Sequence, residues 1–270
     1  MDLLLRIAKI PRSSYYYHQK HFSDKDRHAD VRVEIRRICQ EHKGRYGYRR
    51  VTLTLSQLGY RTNHKLVMKL MEAEHLTCLL RKKKYRSYRG EVGRVAPNLL
   101  KRNFKATQPN QKWATDITEF KLFGQKLYLS PILDLFNGEI VSYAVSEHPT
   151  YPIVGEMLDK AFQTIPDKAP LILHSDQGWH YRMPLYQKAL REKGIRQSMS
   201  RKGNSYDNSV IENFFGVLKT EFYNNQSFTS IEDFKNELAK YIEYYNHRRI
   251  RGKLKGMSPV QFRTQSNVST

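Results

Sequence analysis

Asp116, Asp176 and Glu212 are the residues of this 270-residue chain whose types and spacing point to joint chemistry. They stand in Trp113-Ala-Thr-Asp-Ile-Thr, in Leu171-Ile-Leu-His-Ser-Asp-Gln-Gly and in Asp207-Asn-Ser-Val-Ile-Glu-Asn-Phe-Phe, and the 35 residues 177–211 separate the second from the third. Carboxylate oxygens are the donors that hard divalent cations prefer. Two Mg²⁺ (or Mn²⁺) ions about 3.5 to 4 Å apart can stabilise both the attacking and the leaving oxygen of an in-line phosphodiester displacement. Without metal, three carboxylates repel one another and any phosphate. With it, a bound water or a 3′-hydroxyl becomes a nucleophile.

The surrounding pattern predicts what holds these residues. Lys112 to Leu122 has the β-rich composition of a strand, Gly124-Gln125 turns it, and Leu127 to Phe136 reads as a second strand. Asn137-Gly138 is a hairpin signal leading into Ile140 to Val145. A helix from about Pro152 to Phe162 follows, then a buried strand Leu171 to His174, a helix from about Pro184 to Lys193, a strand near Ile195 to Met199 and a last helix near Asn208. The order βββαβαβα predicts an α/β, ribonuclease-H-like core over residues 109–222, a mixed five-stranded sheet flanked by helices. Asp116 then lies on the first strand, Asp176 just past the fourth and Glu212 on the last helix.

On that helix Asn208, Glu212, Phe215 and Lys219 share one face, beside an apolar stripe of Ile211, Phe214 and Leu218. Asn208 and Lys219, with Arg201 and Lys202 in the loop before the helix, are candidate DNA contacts. Asp207 reads as a helix cap, and the Gly203-Asn-Ser-Tyr loop as a hinge that lets Glu212 enter the site when DNA binds. His174 either supports Asp176 or is a satisfied core histidine. Asp134, in a strand near Asp116, either serves structure or a turn or touches the metal, and Trp113 belongs to the core.

Charge identifies the partner. The chain carries 47 Lys+Arg against 26 Asp+Glu, net +21, which points to a polyanion. Residues 1–110 hold 26 basic and 9 acidic side chains, net +17, whereas 111–270 hold 21 and 17, net +4. Within 1–77, three short apolar-periodic segments predict a small all-α helix-turn-helix-like region. Its third helix, capped by Asn63, offers His64, Lys65 and Lys69 to double-stranded DNA. Residues 78–108 read as a basic linker in which Arg81, Lys82, Lys83, Lys84, Tyr85 and Arg86 track DNA by charge and stacking. The extension 223–270 predicts a helix bearing Phe234, Leu238, Ile242 and Tyr245, followed by Arg248 and Arg249, which are either further cations for DNA or a solvated end. Only Cys39 and Cys78 occur, which excludes a disulfide framework and a Cys-x-x-Cys zinc site and fits a reducing cytosol. No apolar run is long enough for a membrane span, and the start is too short for a signal peptide.

Five segments in order, Trp113-Ala-Thr-Asp-Ile-Thr, His174-Ser-Asp-Gln-Gly, Ser200-Arg-Lys-Gly-Asn-Ser-Tyr-Asp-Asn-Ser-Val-Ile-Glu-Asn-Phe-Phe, Lys219-Thr-Glu and Tyr244-Tyr-Asn-His-Arg-Arg, resemble those of insertion-sequence transposases. More narrowly, they are similar to the second-reading-frame (OrfB) product of frameshifting bacterial elements, which has a retroviral-integrase-like DDE core. Gly44-Arg-Tyr-Gly-Tyr-Arg-Arg and the Ser13-Ser-Tyr-Tyr-Tyr start extend the resemblance over nearly the whole chain. The resemblance implies a Mg²⁺-dependent enzyme that cuts at terminal inverted repeats and joins 3′ ends to target DNA, with Asp116, Asp176 and Glu212 as its metal-binding catalytic triad. It implies a homo-oligomer on DNA, a first-reading-frame (OrfA) partner or fusion upstream, and a cytoplasmic, nucleoid-associated protein. The alternatives are a non-catalytic DNA-binding regulator of transposition and another nuclease of the same fold.

Overall fold

The computed structural model describes residues 5, 7, 11–21, 26–78 and 95–268. By its contacts the chain forms two compact units, Met1–Cys78 and Leu79–Thr270.

In the first unit, α1 (Arg12–His21) precedes three helices. Helix α2 (Ala29–Glu41) buries Ile35, Ile38 and Cys39, α3 (Tyr48–Gln57) buries Val51 and Leu55, and α4 (His64–Ala73) buries Val67, Leu70 and Met71. Asn63 caps α4 as its sequence predicts, its side chain accepting the Lys65 N–H at 2.9 Å. Helix α3 ends before Gly59, whose φ of +90° a glycine adopts without strain. Leu58, in phase with the apolar pattern, is nevertheless exposed, because the helix has stopped by then.

The second unit is built on one mixed sheet. Its strands are β1 (Lys112–Thr115), β2 (Thr118–Leu122), β3 (Gln125–Asp134), β4 (Ile140–Ser146), β5 (Ile172–Ser175) and β6 (Arg196–Met199). Strand β3 pairs antiparallel with β4 on one side and with β2 and β1 on the other. β1 then pairs parallel with β5, and β5 with β6. The single first strand expected over 112–122 is thus broken in two at Asp116-Ile117, and five expected strands become six. The hairpin turn falls on Phe123 and Gly124, both at positive φ (49° and 75°), as a tight turn between right-twisted strands requires.

Trp113 and Ala114 alternate across β1 and so belong to opposite cores. Trp113 packs with helices α5 (Tyr151–Phe162), α6 (Trp179–Arg182) and α7 (Pro184–Lys193). Ala114 packs with α8 (Ser209–Glu221) and α9 (Ile231–His247). Because Phe234, Leu238, Tyr241, Ile242 and Tyr245 bury themselves against the sheet, the residues after 222 are part of this core. A final helix, α10 (Pro259–Val268), begins with a reciprocal cap. The Ser258 N–H reaches Gln261 Oε1 at 2.9 Å, and the Gln261 N–H reaches Ser258 Oγ at 3.3 Å.

Candidate active site

Parallel pairing brings the two aspartates together. Ala114 is in register with His174, so Asp116 and Asp176, each two residues further on, leave the sheet side by side at the carboxyl ends of adjacent strands. This is the edge at which open α/β sheets bind ligands. Each carboxylate is fixed by its own local turn. Asp116 Oδ1 accepts the Ile117 N–H at 2.7 Å, at the break between β1 and β2, and Asp176 Oδ1 accepts the Gly178 N–H at 2.8 Å. Both side chains stay partly open to solvent.

Burial holds the Asp116 carboxyl well above the usual carboxylate range. Asp176 and Glu212 raise it further, while the Ile117 N–H and the Lys219 ammonium oppose the shift. Asp176 is raised by burial and eased down by the Gly178 N–H, His180 and Arg182. Glu212, in the first turn of α8, and Lys219, two turns on, therefore both act on Asp116. Lys219 is lowered by burial, while Glu119 and Asp116 favour its charge, and its ammonium lies 5.7 Å from the centre of the Phe120 ring. Among the described residues, no three Asp, Glu, His or Cys side chains gather closely enough to hold an ion. The aspartates form a pair, and Glu212 acts on it without completing a three-donor cage.

Three other groups lie around this pair, and the strand-and-helix pattern in the sequence carries no signal for them. Tyr181 is buried against the aspartates, its phenol pushed far up by burial and then by Asp116 and Asp176. His180 and Arg182 flank it on α6, a single turn too short for periodicity to reveal.

Comparison with known proteins decides the family. The integrase core domain family matches residues 106–205, a second integrase core family matches 212–266, and an HTH-like domain family matches 25–84. The chain is 54% identical to the putative transposase InsK for insertion sequence element IS150 of Escherichia coli (strain K12), over 98% of this chain and 94% of that protein. This chain belongs to the insertion-sequence transposases. An uncharacterized transposase-like protein of Haemophilus influenzae is also 54% identical, over 76% of this transposase and 94% of its own length. Among solved structures, the magnesium complex of the HTLV-2 integrase catalytic core has a TM-score of 0.47 at 19% identity, covering 58% of this transposase and 98% of that chain. The transposase is a DDE-type polynucleotidyl transferase with a ribonuclease-H-like core and an HTH-like DNA-binding domain.

Several expected roles change with the structure. Arg249, expected to contact DNA, is 4% exposed and forms a two-pronged pair with Glu221, Nε to Oε2 at 2.7 Å and Nη2 to Oε1 at 2.6 Å. Packing of α9 against α8 takes it out of reach of DNA. Asn208 is 3% exposed, so its side chain cannot meet DNA in this arrangement, and neither amide atom has a partner among the described residues. Phe215, placed on the polar face with Glu212, joins the core.

Asp207 does not cap α8. Its buried carboxylate accepts from Asn98 Nδ2 (3.0 Å), Arg102 Nε (3.0 Å), and the Arg201 backbone N–H (3.1 Å), Nε (2.9 Å) and Nη2 (3.1 Å). These donors hold its carboxyl far below the usual range, the Arg201 side chain most of all. His174 turns away from Asp176. Its Nε2 donates to the Asp207 carbonyl at 2.9 Å and its Nδ1 pairs with Ser198 Oγ at 2.8 Å, so it is a satisfied core histidine. Asp134 is structural, accepting the backbone N–H groups of Asn110 and Phe136. Lys202 and Arg248 are exposed, Arg201 is exposed though bonded to Asp207, and Lys65 and Lys69 are exposed on α4. Arg81, Lys82, Lys83, Lys84, Tyr85 and Arg86 lie outside the described residues.

Proposed function

We propose that Asp116, Asp176 and Glu212 are the catalytic, metal-binding triad of this transposase. In this reading it cuts at the terminal inverted repeats of its element and joins the 3′ ends to target DNA. The observation that carries this reading is the parallel register of β1 and β5, which sets Asp116 and Asp176 side by side at the strand ends, where burial, Asp176 and then Glu212 all push the Asp116 carboxyl up. A site that collects carboxylates and penalises their charge is one that a cation relieves.

The donor set fits Mg²⁺ or Mn²⁺, because all three groups offer hard oxygens and no thiolate or imidazole competes in the set. Two such ions would polarise the scissile phosphodiester and lower the pKa of the attacking hydroxyl. Asp116 and Asp176 would hold them from the two strand ends, and Glu212 would close from α8. The Gly203-Asn-Ser-Tyr loop before α8 would give the freedom for that movement. Lys219 would neutralise phosphate along the same helix face. Lys65 and Lys69 would grip the element ends, with Arg201, Lys202, Arg248 and the basic segment from Arg81 to Arg86 adding nonspecific hold. A homo-oligomer that pairs two ends, an OrfA partner or fusion, and a cytoplasmic location on the nucleoid complete the reading.

The test is metal-dependent nicking and strand transfer on DNA carrying candidate element ends, run beside Glu212→Gln and Asp116→Asn. Joined products from the parent, and none from variants that still bind DNA, are expected. Variants that nick and join as fast as the parent would remove the triad.

A further inference from the structure

Trp179 is an exposed tryptophan three residues from Asp176, with 49% of its surface open. The other tryptophan, Trp113, is fully buried. A solvated indole is unusual, since large aromatic side chains are mostly buried. This one is also held in place. Its ring lies tilted against the His180 imidazole, with 3.8 Å between ring centres and 30° between planes, and His180 Nε2 bonds to the Pro149 carbonyl. The turn before it is tied to the candidate catalytic carboxylate through the Gly178 N–H bond to Asp176 Oδ1. At Gly178 there is no room for a side chain, because a Cβ would stand 2.8 Å from Asp176 Oδ1 and 3.3 Å from Tyr181 Cδ2. A flat, half-open apolar ring thus directly follows the turn that holds the Asp176 carboxylate, in a protein that binds DNA. Every nucleobase has a π-face, so stacking on such a ring needs no particular sequence.

We propose that Trp179 is a nucleobase-stacking platform that receives an unstacked base of the bound DNA next to the phosphodiester undergoing reaction. This rests on the reading of Asp116 and Asp176 as the catalytic pair. The platform orients the strand across the two aspartates. It adds affinity without charge, so its contribution differs from that of the lysines and arginines in not depending on salt.

The experiment uses the full chain in the Glu212→Gln background, which is expected to bind element-end DNA without consuming it. Because Trp113 is shielded, acrylamide quenching of tryptophan emission reports on Trp179. Element-end DNA is expected to change that emission and protect it from acrylamide, and the DNA-dependent change is expected to vanish in Trp179→Phe. In the otherwise unaltered chain, Trp179→Ala is expected to lose strand transfer or DNA affinity about 5- to 150-fold, with an unchanged salt slope, and Trp179→Phe to recover most of it. The inference is overturned if DNA leaves Trp179 equally open to acrylamide, if Trp179→Ala matches the parent, or if the emission shifts with protein concentration alone, which would make Trp179 a contact between copies of the chain. Should Trp179→Ala fail to fold, the quenching data and Trp179→Phe decide. Strand transfer by Glu212→Gln at the parental rate would instead count against the triad, whatever Trp179 does.

Discussion

Arg249 and Glu221 face each other as a buried two-pronged ion pair that joins the end of α9 to the last turn of the helix carrying Glu212. Tyr241 Oη donates to the same carboxylate at 3.1 Å. Removing one member leaves an uncompensated buried charge. Glu221→Gln and Arg249→Gln are each expected to lower stability by about 3–5 kcal/mol, read from urea unfolding. The salt slope of DNA binding is expected to stay at the parental value, and a slope reduced in Arg249→Gln alone would return Arg249 to the DNA contacts.

Asp116 gives a pH dependence whose sign follows from its raised carboxyl. A folded-state pKa above the unfolded one means that the folded chain holds the proton more tightly. Stability is therefore lost as pH rises from the ordinary aspartate range through the raised value. Without metal, Asp116→Asn is expected to be more stable than the parent at neutral pH, and the gap should close in acid. Mg²⁺ is expected to raise the Tm of the parent and not of the variant. Equal Mg²⁺ shifts in the two proteins would place the ion elsewhere.

Gly178 is the tightest point beside the site. An alanine there must displace Asp176 Oδ1 or the Tyr181 ring. Gly178→Ala is expected to slow strand transfer about 10- to 100-fold while changing Tm little, because misplacing a reacting group costs far more in rate than in folding. Unchanged turnover would show that the Asp176 carboxylate is not held to this position during catalysis.

Lys65 and Lys69 are exposed on α4 of the first unit. If each neutralises one phosphate, Lys65→Ala and Lys69→Ala are each expected to reduce the slope of log affinity against log salt by about 1. A slope unmoved in the double variant would show that α4 does not lie on DNA.

What the sequence by itself determined is what local rules and residue chemistry control. The apolar periods marked β3 to β6 and the helices α2 to α5 and α7 to α9, the Asn63 cap is a one-residue signal, and the segments around Asp116, Asp176 and Glu212 pointed to the family. The tertiary structure decided everything that depends on residues distant in sequence. Parallel pairing of β1 with β5 sets Asp116 beside Asp176, and only a register can do that. Packing of α9 on α8 turned Arg249 from a surface cation into half of a buried pair, because burial belongs to the neighbours and not to the residue. Asp207 was expected to cap its own helix but is held by Asn98 and Arg102, more than a hundred residues away. The break in the first strand at Asp116 had no mark in a β-rich run, since a carboxylate that bonds its next backbone N–H interrupts a strand without a glycine or a proline.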